Sequence, residues 1–295
     1  MKLRKILFGA WFLGWFFALP VRAEYIQDGL YREFYNSGEV KRLLTYQNGK
    51  PNGMFNTFYQ NGKLMGEGLY VNGKLEAKAI GYFADGIKKM EVHYKNGILD
   101  GEAKRYYESG RLWTESRYYQ GRQDGLFKEY WPSGQLHYER DYKNGHENGW
   151  AKEYRPDGSL VRETTFKDGI QEGLVREFDN NGLLTRSFKA DNTVPQGVVK
   201  EFYPTGELKK DITLANGWTS DGTEKEYYAT GESKSAVPLK NGKKEGVYQE
   251  FYPTGQLKTV GRYESDRQEG DFKTYAPNGV LESQTTFSLE AAVKP

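Results

Sequence analysis

The chain has 295 residues, with 42 Lys and Arg against 40 Asp and Glu, 15% aromatic residues, 35 glycines and no cysteine. The lack of cysteine excludes disulfides, lipid attachment through an N-terminal cysteine and thiolate metal sites. The near balance of charge argues against a nucleic-acid partner, which would call for a basic stripe. In chain order, the first predicted element is a targeting segment over residues 1–23. Lys2, Arg4 and Lys5 give it a basic start, Ile6–Leu19 is an uncharged apolar run of 14 residues, and Val21-Arg22-Ala23 is a small-x-small cleavage site. That run is short against the roughly 20 apolar residues of a spanning helix. The segment therefore reads as a signal peptide, and the protein as exported to the periplasm, the cell surface or the extracellular space. Without this segment 38 basic residues remain against 40 acidic ones, so the body is slightly acidic.

From Gly29 onward the chain repeats every 24 residues. Glycine opens the unit at Gly29, Gly53, Gly101, Gly125, Gly149, Gly173 and Gly197 and, after one inserted residue, at Gly222, Gly246 and Gly270; Ala77 fills the remaining slot. With the opening residue as place 0, place 9 is always glycine and place 5 always aromatic, as at Phe34, Tyr82 and Phe251. Place 8 is always Ser, Thr, Asn or Asp, so places 8 and 9 predict a two-residue type I′ hairpin turn. A second turn follows, as at Asn48-Gly49 and Asn96-Gly97. Each unit thus reads as two short strands and two turns, and glycine this frequent is too costly for helix. A turn centred on places 8 and 9 sets Lys104 opposite Glu115, Lys128 opposite Glu139, Lys152 opposite Glu163 and Lys200 opposite Asp211. It also puts places 2, 4, 6, 11, 13 and 15 on a mostly apolar face, and places 1, 3, 5, 12, 14 and 16 on the other.

A period of this size marks a unit that buries its apolar surface only against copies of itself. The predicted fold is all-β: an elongated antiparallel β-hairpin repeat array of about eleven 24-residue units over residues 24–287. A bend is expected at 189–222. There the turn glycine is missing near Ala190-Asp191-Asn192-Thr193, Pro195 intrudes and one residue is added. Residues 288–295 break the pattern and read as a C-terminal tail.

The unit resembles the MORN repeat, in its longer bacterial variant class, which includes YwqK-type antitoxin-like proteins. The resemblance is carried by Tyr59-Gln60-Asn61-Gly62-Lys63-Leu64, Tyr94-Lys95-Asn96-Gly97 and Tyr252-Pro253-Thr254-Gly255-Gln256-Leu257-Lys258, and covers residues 29–287. It implies an array of antiparallel hairpins and a role in binding or assembly.

The residues offer no catalytic constellation, so the chain reads as not an enzyme, with no cofactor and no metal. His93, His137 and His146 share no column of the repeat. The glutamate columns at places 4 and 14 repeat one environment, whereas paired-carboxylate chemistry needs two unlike ones. Aromatic residues are the suggestive feature. Trp113, Trp131 and Trp150 lie close in sequence, and Trp113 and Trp150 are expected on the face bearing Tyr106, Tyr130 and Tyr154. The expected function is an exported, non-enzymatic scaffold for protein–protein interaction at the cell envelope or outside the cell. The alternative is a rod that binds cell-wall or surface glycan through exposed aromatics. No nucleic acid and no membrane span after signal removal are expected, and exposed end strands suit a homodimer.

Overall fold

The computed structural model describes residues 28–214 and 221–288. The expected signal peptide lies outside them, as do residues 215–220 of the expected bend and the tail beyond Ser288. The chain divides into two compact units, Met1–Gln135 and Leu136–Pro295. Unit one holds β1 (Gly29–Phe34), β2 (Val40–Gln47), β3 (Lys50–Phe58), β4 (Leu64–Val71) and β5 (Lys74–Tyr82). It continues with β6 (Lys88–Lys95), β7 (Ile98–Tyr106), β8 (Leu112–Tyr119), β9 (Arg122–Gln123) and β10 (Gly125–Tyr130). Unit two begins with β11 (Leu136–Lys143), β12 (His146–Tyr154), β13 (Leu160–Lys167), β14 (Ile170–Phe178), β15 (Leu184–Asp191), β16 (Val194–Phe202) and β17 (Leu208–Leu214). It ends with β18 (Gly222–Tyr227), β19 (Ser233–Lys240), β20 (Lys243–Lys244), β21 (Gly246–Phe251), β22 (Leu257–Glu264), β23 (Arg267–Tyr275) and β24 (Leu281–Phe287). Among the described residues there is no helix. Within each unit the strands pair antiparallel in chain order, as β1–β2–β3–β4 and β21–β22–β23–β24 do, except that β9 and β10 both pair with β8, and β20 and β21 both pair with β19.

The expected register is observed where strands stay within one unit: Lys104 opposes Glu115, Lys152 opposes Glu163 and Lys200 opposes Asp211. The first turn differs from expectation. The glycine at place 9 donates to the carbonyl of place 6, as Gly38 N does to Tyr35 O at 2.9 Å, and place 6 in turn donates to place 10, as Tyr35 N does to Glu39 O at 2.8 Å. The turn therefore centres on places 7 and 8, and its glycine follows in the left-handed region, with φ of 99° at Gly38 and 78° at Gly62. This is a type I turn closed by a left-handed glycine, not a two-residue type I′ turn. Proline at place 7, as in Pro132 and Pro253, suits it, because proline presets φ for the first central residue. Type I′ geometry belongs to the second turn, where Asn48 and Gly49 have φ of 53° and 69°.

The extra turn residue shifts the ladder by one between places 4 and 5. Arg105 opposes Thr114, but Tyr106 opposes Leu112, so Trp113 is bulged out of the pairing. The two expected faces are corrected accordingly, because a one-residue slip moves a side chain across the sheet. The place-11 residues face the place-5 aromatics: Val40 opposes Phe34 and Leu64 opposes Phe58. Place 12 instead sits with places 4 and 6: Lys41 reaches Glu33 at 2.6 Å and lies 5.9 Å over the Tyr35 ring.

The core of unit one gathers Leu44, Tyr46, Phe55, Tyr70, Val92 and Tyr94 on one face, with Val92 fully buried. Gly68 is a thin place in it: a Cβ there would lie 2.6 Å from the Phe55 ring. Unit two has its own cluster of Val175, Phe188, Ala190, Val199 and Leu214. The described part of the expected bend keeps its ladder, with Asp191 opposite Val194 and Pro195 opposite Ala190. Asn192 and Thr193 close that turn with φ of 46° and 71°, so threonine holds the left-handed place of the missing glycine.

Candidate partner-binding surface

Three devices repeated along the ladder fix the surface. The first is a tyrosine clamp. The hydroxyl at place 6 donates to the place-5 carbonyl of the next repeat: Tyr35 to Phe58 O, Tyr59 to Tyr82 O and Tyr107 to Tyr130 O, each at 2.7 Å. Tyr203, Tyr228 and Tyr252 do the same in unit two, and Arg155 Nη2 substitutes at 2.9 Å to Phe178 O. The second is a turn cap. In several repeats the residue before the opening place accepts a backbone N–H from the following type I′ turn. Asn96 N donates to Glu76 at 2.7 Å, Gln120 N to Asp100 at 3.2 Å and Asn241 N to Asp221 at 3.0 Å. The sequence carries the signal for it, since that place is Asp, Asn, Glu or Gln in every unit, but spacing alone does not reveal its partner 20 residues on. The third is a tyrosine–carboxylate pair between repeats, from place 5 to place 14: Tyr82 to Glu67 at 2.6 Å, Tyr130 to Glu115 at 2.7 Å and Tyr227 to Asp211 at 2.8 Å. Burial, then the neighbouring carboxylate, pushes the Tyr82 and Tyr227 phenols up to about 12.

The six expected site residues are divided between the units. In unit one, Trp113 is half-buried and stacks on Tyr107 with ring centroids 5.7 Å apart. It therefore packs with place 6 rather than sharing the face of Tyr106. Tyr106 lies under the Lys88 ammonium at 5.5 Å, Tyr130 is bonded to Glu115, and Trp131 is half-buried in its turn. In unit two, Tyr154 is half-buried, and burial followed by Glu139 and Glu163 raises its phenol pKa. Trp150 differs from the other two tryptophans in exposure: it is 42% exposed, and its backbone N–H is tied to Asp141 at 3.2 Å. It is an exposed ring on a fixed strand.

Unit two also holds a polar cluster that periodicity does not predict. Arg140 occupies the place held by Leu44 and Val92 in unit one. It donates to Glu147 at 2.6 Å and lies 4.7 Å over the Tyr138 ring, and Tyr138 donates to Glu153 at 3.1 Å. Burial, then Arg140, holds the His137 imidazole down to about 4. The signal was an arginine in a column otherwise apolar or small. Among the described residues no group of three His, Cys, Asp or Glu is placed to hold a metal ion. Nor is any helix there long and apolar enough to cross a membrane.

The MORN repeat variant model matches residues 27–48, 51–72, 99–120, 123–144, 195–216, 220–241, 244–265 and 268–288, more than half of the chain. The chain belongs to the MORN repeat variant family. MORN repeats are a non-enzymatic repeat type and suggest a scaffold for protein or membrane interaction. Residues between the matched MORN segments carry the same devices, as the Asn96–Gly97 turn and the Arg155 clamp show. No curated protein matches the chain. Among solved structures, a TcdB2–TccC3 crystal structure aligns at 13% identity over 87% of this chain, with a TM-score of 0.15. The Tc holotoxin pore of Photorhabdus luminescens aligns at 12% identity over 90% of it, also with a TM-score of 0.15. The chain spans only 18% of each of those chains.

Proposed function

We propose that this MORN-variant protein is an exported, non-enzymatic scaffold that holds a protein partner at the cell envelope or outside the cell. The observation that carries the proposal is Trp150, an exposed aromatic on a strand fixed by its ladder and by the Asp141 contact. Exposed aromatics on rigid elements are the residues that anchor protein interfaces. Export is supported by the basic, apolar and small-x-small order of residues 1–23. A glycan-binding rod would need several rings open for stacking, and the Trp113 ring is already stacked on Tyr107.

The test combines fractionation with a photo-crosslinker at position 150. The expected result is a processed protein in an exported fraction and one reproducible protein adduct. Trp150→Ala should weaken that complex about ten-fold or more. Retention of the unprocessed chain in the cytoplasm would sink the export half. An adduct to glycan alone would replace the protein partner.

A further inference from the structure

Every clamped junction between repeats has a donating side and a receiving side. The donating repeat supplies a tyrosine hydroxyl from place 6 and often a carboxylate from place 14. The receiving repeat supplies the place-5 carbonyl and often a cation at place 3. Tyr107 donates to Tyr130 O at 2.7 Å while Glu115 opposes Lys128, and Glu163 meets Arg176 at 2.5 Å. Further donors reach the turn carbonyls: Arg111 Nη1 lies 2.9 Å from Pro132 O and 3.0 Å from Ser133 O.

The first repeat presents this receiving side with nothing seated on it among the described residues. β1 pairs there with β2 alone. Leu30 and Phe34 are 54% and 53% exposed, and Arg32 is exposed with no ion pair among the described residues. An open depression of about 510 Å³ is lined by Phe34, Tyr35, Asn36, Ser37, Lys41 and Gln60. Its first four residues are places 5 to 8 of the first repeat, and at the internal junctions the tyrosine of the preceding repeat bonds to the place-5 carbonyl; the far wall of the depression is Gln60, which donates to Ser37 at 2.9 Å. The last repeat is not the matching donor. Place 6 there is Ala276, which has no hydroxyl, and place 14 is Gln284, whose amide is turned onto Asp271 at 2.8 Å. A second copy of the chain would bring neither group.

We propose that the β1 edge is a docking site for a β-hairpin strand of a different protein. Its tyrosine enters the depression and donates to Phe34 O, and its carboxylate faces Arg32. The added strand continues the ladder by edge pairing, a recognised way to bind an extended segment. The site is separate from Trp150, so it extends the scaffold reading without resting on that residue.

The probe is a synthetic peptide of residues 101–118, the hairpin bearing Tyr107 and Glu115, titrated into the full chain. Binding should shift the amide resonances of Gly29–Ser37. The Tyr107→Phe peptide should bind about five-fold more weakly, the worth of one hydroxyl–carbonyl bond. An Arg32→Glu protein, with its melting temperature unchanged at this exposed site, should also bind the peptide more weakly. Absence of binding, or equal affinity for the Tyr and Phe peptides, overturns the proposal. So does concentration-dependent self-association of the full chain that Arg32→Glu abolishes, since that gives the edge to a second copy. None of these outcomes alters crosslinking at position 150, so the two readings fail separately.

Discussion

Single residues carry much of the backbone cost in this fold. Ala77 sits where ten other repeats open with glycine, and it keeps a left-handed φ of 58°. An L-residue is strained there by about 1–2 kcal/mol. Ala77→Gly is therefore expected to raise stability by about 1 kcal/mol, read as a higher midpoint in denaturant. The converse change at Gly101 should cost about 2 kcal/mol or more: φ is +119°, and a Cβ would lie 2.9 Å from that of His93. The clamp can be tested by gain as well as loss. Phe83 holds place 6 without a hydroxyl, and Phe83→Tyr should add the missing bond and about 1 kcal/mol, the amount Tyr59→Phe should remove. Protonation adds a further test. Tyr82, Tyr94, Tyr227 and Tyr248 are all raised to about 12, chiefly by burial. A phenol whose folded pKa exceeds its unfolded value near 10 stabilises fully below pH 10 and loses that contribution as pH climbs through 12. Tyrosinate absorbance should therefore appear late and together with unfolding. Early titration of all tyrosines with the fold intact would contradict the burial. His137, held near 4, has the opposite sign: its contribution is present above pH 6.5 and lost as pH falls toward 4.

At the level of strands and turns, the hairpins and most of their register were legible in the sequence because glycines at a fixed spacing fix corners. Lys152 opposite Glu163 follows from spacing alone. The first turn was misassigned because Ser-Gly and Asn-Gly pairs occur in both turn classes. The prolines at place 7 were the discriminating residues, since they mark the first central position of a type I turn. That single offset carried place 11 and place 12 across the sheet, and with them Trp113. The clamp was hidden for another reason: a place-6 tyrosine looks like apolar area until its hydroxyl is seen crossing to the next repeat. The Arg140–Glu147 cluster was invisible as a contact because its partners come from two strands. The turn at Asn192–Thr193 gives an element-scale test. Thr193, at φ 71°, is a β-branched residue in a left-handed place, so Thr193→Gly should stabilise unit two by about 1 kcal/mol, seen as slower amide exchange in β15 and β16.

At the scale of the whole chain, each unit is a one-dimensional ladder whose stability is a sum over neighbours. Val92→Ala in the core of unit one should cost about 2 kcal/mol and reduce exchange protection first in β5, β6 and β7, the strands that Val92 spans. The matched devices on the two sides of every clamped junction have a consequence for heredity. Glu245 precedes Gly246 just as Glu269 precedes Gly270, and Tyr252 stands to Tyr275 as Tyr228 stands to Phe251. Excising residues 246–269 would leave Glu245 joined to Gly270 and hand Tyr228 a fresh carbonyl. The shortened protein should melt cooperatively, whereas excising 246–268 should ruin everything downstream. Gene duplication and loss can thus adjust the reach of this protein in whole blocks of codons without redesigning a seam.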